Sequence, residues 1–257
     1  MQFPIQNNTM KTYCSHLQLL LLAVVIITII SCKKDDNNAD NNNNNNSNTL
    51  TFNPNLTYGS MSDFDGQVYK TIQIGNQVWM AQNLNVAHYR NGDPVGEFTD
   101  AATWEGLTAG GYSYYNNDTA SAEVYGKLYN FYAVYDPREL APAGWHIPTI
   151  QELEELINYC GGYWDTTAQA LRETGTAHWS NMPLPGTNRT GFTGVGSGMR
   201  SWDGSFTGIR YTGDYWSSTD ASDYYDMDAF TVNIDGNIGW FGGADKRNGM
   251  AVRCVKD

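Results

Sequence analysis

Four aspartates late in the chain form the densest group of side chains that could bind a metal ion: Asp220, Asp223, Asp226 and Asp228. A group of carboxylate oxygens can hold Ca²⁺. The spacing differs from that of an EF-hand, which has ligands at alternate positions and a glycine at the sixth. The pattern therefore favours a solvated acidic loop, with direct contact to a ligand as an alternative, and it predicts no metal ion or other cofactor.

Groups able to do acid–base or nucleophilic chemistry are sparse. Beyond the first 31 residues the histidines are His88, His146 and His178, and none has a second His or a Cys at a metal-binding spacing. His146 lies between two apolar residues, Trp145 and Ile147. This position is typical of a buried histidine whose hydrogen bonds are satisfied within the protein. Ser197 lies in a Gly-Ser-Gly run, which is not the Gly-x-Ser-x-Gly pattern of a nucleophile elbow. No catalytic residue is predicted, and we expect the protein not to be an enzyme.

Aromatic and polar side chains gather in the C-terminal part of the chain, where they could contact a ligand. Phe230, Val232 and Ile234 alternate with polar residues, so we expect one face of this strand in the core and the other available to a partner. Tyrosine and tryptophan rings supply contact area, and charged groups orient a polar ligand. The candidate ligand-binding residues are Tyr224, Tyr225, Asp226, Asp228, Asn233, Trp240, Arg247 and Asn248. The alternative is that these loops are merely solvated.

The charge balance excludes one class of function. The chain has 15 Lys and Arg against 27 Asp and Glu, which gives a net charge of −12. Binding to nucleic acid through phosphates needs clustered basic side chains. No nucleic-acid partner is therefore expected.

Residues 1–31 are predicted to be a lipoprotein signal peptide. Residues 17–30 form an apolar run shorter than the about 20 residues that span a bilayer as a helix. A run of this length suits the apolar region of a signal peptide. It ends in Ile29-Ile30-Ser31-Cys32, which resembles the lipobox of bacterial lipoproteins, so Cys32 is the predicted lipidation site. A transmembrane anchor with an incidental cysteine is the alternative.

The residues after Cys32 predict export and a tether. Residues 33–36 are Lys-Lys-Asp-Asp, which resembles the export signal of surface lipoproteins in the Bacteroidetes. Residues 37–48 are almost all Asn and have no apolar periodicity. We therefore expect a disordered tether over 32–57, one folded domain over 58–257, and a lipid-anchored protein exposed on the outer membrane.

The folded domain contains two cysteines, Cys160 and Cys254. Both lie on apolar faces of predicted elements, and the compartment is oxidising. A disulfide between them is a candidate. Two buried free thiols are the alternative, and the residues leave both open.

Two element predictions rest on strong local signals. Residues 67–80 alternate around Gly75-Asn76, which predicts a β-hairpin with a two-residue turn. Thr149 and Glu152 predict a capping box at the start of a helix whose apolar face ends at Cys160. Three tryptophans in apolar or alternating segments are expected in the core: Trp79, Trp145 and Trp216.

The other predicted elements rest on residue spacing and composition alone. Helical spacing of aromatic residues predicts a second helix over residues 125–135, and the Gly- and Ser-rich residues 183–214 predict a loop. Alternating residues predict C-terminal strands, the last over 250–254. Two helices between an N-terminal hairpin and a C-terminal antiparallel sheet make an α+β fold.

Four segments together resemble the Fibrobacter succinogenes major paralogous domain. They are residues 63–84, residues 144–149, Gly191-Phe192 with residues 215–219, and residues 249–255. The resemblance covers residues 60–257. It implies a C-type-lectin-like fold, in which two helices flank a small antiparallel sheet with long structured loops. It also implies a secreted or lipid-anchored surface protein without an established activity.

Three functions fit these observations. The one that the sequence favours is a surface module that binds a carbohydrate or another extracellular partner through its C-terminal loops. A second is a receptor of the same fold whose C-terminal segment is varied by a diversity-generating retroelement. The third is an enzyme related to the formylglycine-generating enzymes, which need reactive cysteines.

Overall fold

The computed structural model describes residues 49–162, 165–180, 182, 184–220, 229–234 and 239–257. The α-helices among them are α1 (Ala101–Glu105), α2 (Ala122–Tyr125), α3 (Phe131–Val134), α4 (Ile150–Tyr159) and α5 (Asp165–Leu171). The strands are β1 (Gly59–Ser62), β2 (Val68–Ile74), β3 (Gln77–Met80), β4 (Gly96–Glu97), β5 (Gly111–Ser113), β6 (Leu128–Tyr129), β7 (Trp145–His146), β8 (Ser197–Arg200), β9 (Phe206–Ile209), β10 (Gly213–Asp220), β11 (Ala229–Ile234), β12 (Gly239–Ala244) and β13 (Val255–Lys256). None of the helices in these ranges is long and apolar enough to cross a membrane.

The strands form three small sheets, and the α+β prediction is confirmed. The first sheet has the order β1-β2-β3-β13-β7, the second β12-β11-β10-β8-β9 and the third β4-β5-β6. Most neighbours are antiparallel, and the parallel pairs are β8 with β10 and β4 with β5. Few of the helices exceed five residues, so sheets and loops make up most of the domain.

The two strong local predictions are confirmed. Strands β2 and β3 pair around a turn in which Gly75 has a φ of 59°, and Ile72 lies opposite Trp79. Helix α4 begins after Thr149, whose side chain accepts from the Glu152 amide while the Glu152 carboxylate accepts from the Thr149 amide. Its apolar face is buried, which fixes the helix against the first sheet.

The predicted helix over residues 125–135 is wrong. Gly126 interrupts it with a φ of 72°, and a Cβ there would lie 2.7 Å from the carbonyl oxygen of Leu84. Beyond Gly126, β6 pairs with β5, and only the short α3 follows. The aromatic spacing therefore comes from a strand and a helical turn in succession.

The loop predicted over residues 183–214 contains two strands. Strands β8 and β9 form a hairpin in which Ser197 lies opposite Ile209. Gly198 has a φ of 59°, and a Cβ there would lie 2.4 Å from the Thr207 carbonyl oxygen. Close backbone contact thus explains a glycine-rich sequence that is nonetheless regular structure.

The C-terminal segment joins all three sheets. Gly249 exchanges backbone hydrogen bonds with Arg200 in the second sheet, and Met250 does so with Tyr129 in the third. Cys254 accepts from the Met80 amide of the first sheet. The predicted strand over 250–254 is therefore a chain of single contacts with several elements, and regular pairing is confined to β13.

The first sheet separates two apolar clusters. The helix-side cluster includes Ile72, Trp79, Leu153, Cys160 and Val255. The loop-side cluster includes Tyr69, Met80, Phe131, Trp216 and Cys254. The expected burial of Trp79, Trp145 and Trp216 is confirmed.

Cys160 and Cys254 are free thiols in the structure. Val255 packs with Cys160 in the helix-side cluster, whereas Cys254 packs in the loop-side cluster. Successive residues of an extended chain point to opposite faces. Because the first sheet lies between the two sulfur atoms, the candidate disulfide is not formed.

The segment before residue 58, which the sequence assigned to the tether, packs on the domain. The Thr51 amide donates to the buried carboxylate of Glu173, and the Asn53 side chain donates to the Asn188 carbonyl. Phe52 lies against the helix-side cluster. The ordered contacts thus begin several residues earlier than the sequence predicted.

Candidate functional site

A cavity with a volume of about 400 Å³ opens among the described residues. It lies between α3 with the turn that follows it, the loop at 108–110, and Lys246. Its lining residues are Thr108, Ala109, Gly110, Phe131, Tyr132, Tyr135, Asp136, Pro137, Arg138 and Lys246. We call it the α3 cavity.

Asn130 positions both walls of the α3 cavity. Its side-chain oxygen accepts from the amides of Ala133, at 3.0 Å, and Gly111, at 2.9 Å. Its side-chain nitrogen donates to the Ala109 carbonyl at 2.9 Å. One buried amide side chain therefore caps α3 and holds the opposite loop at a fixed distance from it.

An aromatic stack forms one side of the cavity. The rings of Phe131 and Tyr135 are parallel to within 16°, with centroids 5.5 Å apart. Phe131 is buried and tilts against Trp216 at 5.4 Å. Tyr135 is 59% exposed, so the stack holds its ring on one face and leaves the other open.

The cavity offers hydroxyl groups that no described part of the chain engages. The side-chain hydroxyls of Thr108, Tyr132 and Tyr135 make no hydrogen bond with any residue in the described ranges. A hydroxyl can both donate and accept, as sugar hydroxyls also do. An exposed ring beside such groups can bind a ligand with an apolar face and a hydroxylated rim.

Charged groups in the cavity are held in pairs. Arg138 forms two hydrogen bonds of 2.8 Å with the Asp136 carboxylate, and its guanidinium lies 4.1 Å from the ring centroid of Tyr89. The Arg138 hydrogen bonds lower the pKa of Asp136, which keeps this carboxylate ionised. Lys246 lies 3.3 Å from the carboxylate of Asp220. These groups are therefore oriented before a ligand arrives.

A second cavity of about 170 Å³ shares Asp136 with the first and is lined by His146. The His146 Nδ1 atom lies 2.8 Å from the Asp257 carboxylate, and Nε2 lies 2.8 Å from that of Glu152. Burial acts to lower the pKa of His146, but the hydrogen bonds that its ring makes to the carboxylates of Asp257 and Glu152 outweigh it and raise that pKa. Each ring nitrogen of His146 therefore has a carboxylate partner in this structure.

Of the predicted ligand-binding residues, only Arg247 and Asn248 have side chains in the described part of the structure. Tyr224, Tyr225, Asp226 and Asp228 lie outside the described residues. Asn233 in β11 pairs with Trp240 in β12, and their side chains are also outside the described part.

Two other candidates lie in the loop that follows β12. Arg247 is half-buried, donates to both carboxylate oxygens of Asp245 and lies 5.1 Å from the Trp202 ring. Asn248 is only 8% exposed, which leaves little of it for a ligand. Lys246, between Asp245 and Arg247, is the residue of this loop that lines the α3 cavity.

Sequence reasoning missed the α3 cavity. The aromatic spacing predicts one helix over residues 125–135, whereas the structure has β6 and the short α3 there and leaves Tyr135 exposed. Asn130 before the aromatic run was the available signal, because an asparagine at that position caps a new helix. The contact with Lys246 joins segments more than 100 residues apart, and no local pattern predicts it.

No group of three His, Cys, Asp or Glu side chains in the described ranges could hold a metal ion. Most of the acidic cluster considered from the sequence, at 223, 226 and 228, lies outside those ranges. The structure therefore gives no further test of the calcium alternative.

Comparison with known proteins gives one match. The family model of the Fibrobacter succinogenes major domain matches residues 72–256, well over half of the chain. No curated protein and no solved structure matches.

Proposed function

The chain belongs to the Fibrobacter succinogenes major domain family, and we propose that it is a non-catalytic cell-surface lipoprotein whose domain binds an extracellular glycan. In this proposal Cys32 carries the lipid and residues after it tether the domain to the outer membrane. The domain takes a C-type-lectin-like arrangement of short helices and small sheets under long loops.

The α3 cavity is the observation that carries the proposal. It combines an exposed tyrosine ring, Tyr135, with hydroxyls at Thr108 and Tyr132 that make no hydrogen bond in the described part of the chain. Sugar rings have an apolar face that packs on aromatic rings and a polar edge that needs hydrogen-bond partners. Lys246 connects this cavity to the C-terminal loops that the sequence singled out.

The arrangement of His146 supports binding over catalysis. Two carboxylates hold its ring nitrogens, and the two free thiols are buried in separate clusters. A reactive thiol needs exposure and a lowered pKa. Burial instead raises the pKa of Cys160 to about 11 and that of Cys254 further.

A glycan array tests the proposal. The probe is the chain from residue 32 onward with Cys32→Ala, which removes the acyl group and keeps the domain. We expect binding to a set of related glycans that soluble sugar of the same type competes away. Absence of any glycan signal from folded protein would contradict the glycan proposal.

A further inference from the structure

Lys127 is an unusual lysine because its amine is inside the protein. The residue is only 5% exposed and precedes β6. Its Nζ atom donates to the Asn85 carbonyl oxygen at 2.5 Å and to the Asn85 side-chain oxygen at 2.9 Å. None of the salt bridges of the described residues involves it. A buried amine that meets an amide in place of a carboxylate is the exception among lysines.

The surroundings of this amine are aromatic. The ring centroids of Tyr112 and Tyr114 lie 4.9 and 5.3 Å from Nζ. Tyr112 is buried and lies edge-on to Tyr114, so the two rings shield the amine from water. Shielding favours the neutral form of an amine, which is the nucleophilic form.

The side-chain amide of Asn85 is placed for attack. Because a C=O bond is about 1.2 Å long, the amide carbon lies no more than about 4.1 Å from Nζ. The Asn85 backbone amide donates to the Tyr69 hydroxyl at 3.0 Å, which fixes the residue. Its side-chain nitrogen makes no hydrogen bond with any described residue, so nothing there holds the group that would leave.

From this geometry we propose that Lys127 and Asn85 form an intramolecular isopeptide bond. The Lys127 Nζ attacks the Asn85 Cγ, an Nζ–Cγ bond forms, and the Cγ–Nδ2 bond breaks with release of ammonia. The proton that Nζ loses is the one that the departing nitrogen takes up. One primary amide and one amine become one secondary amide and ammonia, so the reaction needs no oxidant, energy source or second substrate.

Acidic side chains near the amine can carry that proton. Burial lowers the pKa of Lys127, and the charges of Asp65, Asp63 and Glu97 act in the opposite direction. Asp63 also accepts from the Tyr69 hydroxyl at 2.6 Å, and that hydroxyl contacts Asn85. Proximity also accelerates the reaction, because the fold holds the amine and the amide in contact and no bimolecular encounter is needed.

The bond would close the chain between β3 and β6. The segment from 85 to 127 contains α1, α2, β4 and β5, and its ends are already adjacent at the amine. A covalent closure restricts the unfolded chain in the way that a disulfide does. It would protect an exposed surface domain that forms no disulfide in its described part.

Peptide mapping of the full chain tests the proposal. Trypsin digestion of denatured, reduced protein should yield residues 71–90 joined to residues 91–138, lighter by one ammonia than the two peptides together. Cleavage after Lys127 should be absent, because trypsin needs a free lysine side chain. Cleavage after the exposed Lys70 is the internal control. A stoichiometric free peptide 91–127 would overturn the proposal.

Variants distinguish a chemical link from a missed cleavage. Lys127→Arg and Asn85→Ala should each give separate peptides, with complete cleavage after position 127 in the first. A joined peptide in the Asn85→Ala protein would assign the link to another residue and contradict the proposal.

Discussion

Arg253 and Phe192 contact each other twice. The Arg253 guanidinium carbon lies 4.4 Å from the Phe192 ring centroid, and its Nη1 donates to the Phe192 carbonyl oxygen at 2.5 Å. The same guanidinium donates to the Asn83 side chain and to the carbonyls of Met80 and Thr193. A fully buried cation thus joins the C-terminal segment to residues 80–83 and 192–193, and among the described residues it has no acidic partner.

Arg253→Met should destabilise the domain by more than about 3 kcal/mol, because each buried group left unsatisfied costs about 1–3 kcal/mol. Arg189→Met is the control, since Arg189 is exposed and, among the described residues, donates only to the Cys160 carbonyl. That change should stay within about 1 kcal/mol. Urea unfolding of both proteins measures the two free energies. Equal losses of unfolding free energy in the two variants would show that the buried contacts of Arg253 do not contribute more to stability than those of an exposed arginine.

His146 makes stability depend on pH. Its pKa is raised in the folded protein, so its contribution is complete below the pKa of an unfolded histidine, about 6.5, and is lost as pH rises through the folded value. Glu152 has a lowered pKa: burial acts to raise it, but hydrogen bonds from Thr149 and His146 outweigh that effect. Its contribution is therefore lost only as pH falls below about 4.5.

The free energy of unfolding of wild type and His146→Gln tests this sign. The advantage of wild type should be larger at about pH 5.5 than at about pH 8. Asp257→Asn should reduce the pH dependence in part, because Glu152 still contacts the ring. An advantage that grows with pH would contradict the assignment.

The two domain cysteines should react only after unfolding. Burial raises the pKa of both thiols, which leaves little thiolate in the folded protein. Under non-reducing conditions a thiol reagent should modify neither Cys160 nor Cys254 in native protein and both in denaturant. Peptide mapping identifies the sites. A mass shift for only one, or a disulfide-linked peptide, would contradict the buried-thiol arrangement.

Cys32 should carry the lipid. Labelled palmitate should enter the wild-type protein in a bacterial host and be absent from Cys32→Ala. Cys160→Ser is the matched control and should retain the label, because Cys160 is buried in the domain. Surface exposure predicts that protease added to intact cells removes the domain from the wild type. Label in Cys32→Ala would exclude this site.

The parts of the fold that the sequence predicted are those with a local cause. The hairpin at Gly75 and the capped helix at Thr149 are each set by a few adjacent residues. The helix predicted through Gly126 is not formed. Gly126 packs closely against the backbone of Leu84, which lies 42 residues earlier in the chain, and no local pattern shows that contact. The cysteine pairing likewise depended on which side of a sheet each residue faces.

Among the residues that line the α3 cavity, the sequence pointed only toward the loop that contains Lys246. Lys246 is adjacent to Arg247, which the sequence named as a candidate. Tyr135 lies in an aromatic run whose spacing predicts a helix, and that spacing does not show that its ring is exposed at a cavity. Whether an aromatic residue of such a run is covered depends on the sheet packed against it. Met250, for example, exchanges backbone hydrogen bonds with Tyr129, and no local spacing predicts a contact between residues so far apart in the chain.

The binding site at the α3 cavity is the central claim, and the affinities of two tyrosine variants test it most directly. Tyr135 and Tyr159 are exposed to nearly the same extent, 59% and 57%, but only Tyr135 lines the cavity. Tyr135→Phe keeps the ring stack and removes the hydroxyl, and melting curves show that each variant is folded. The double variant Tyr224→Ala with Tyr225→Ala examines the loop that the sequence favoured.

Calorimetric titration with the best glycan from the array gives the decisive comparison. Loss of a stacking ring should weaken binding by up to about tenfold, since such a contact contributes about 0.5–1.5 kcal/mol beyond its area and about 1.4 kcal/mol corresponds to tenfold in Kd. We therefore predict a weakened Kd for Tyr135→Ala and an unchanged Kd for Tyr159→Ala. An unchanged Kd for folded Tyr135→Ala, with binding lost in the Tyr224/Tyr225 variant, would contradict the α3 cavity as the site.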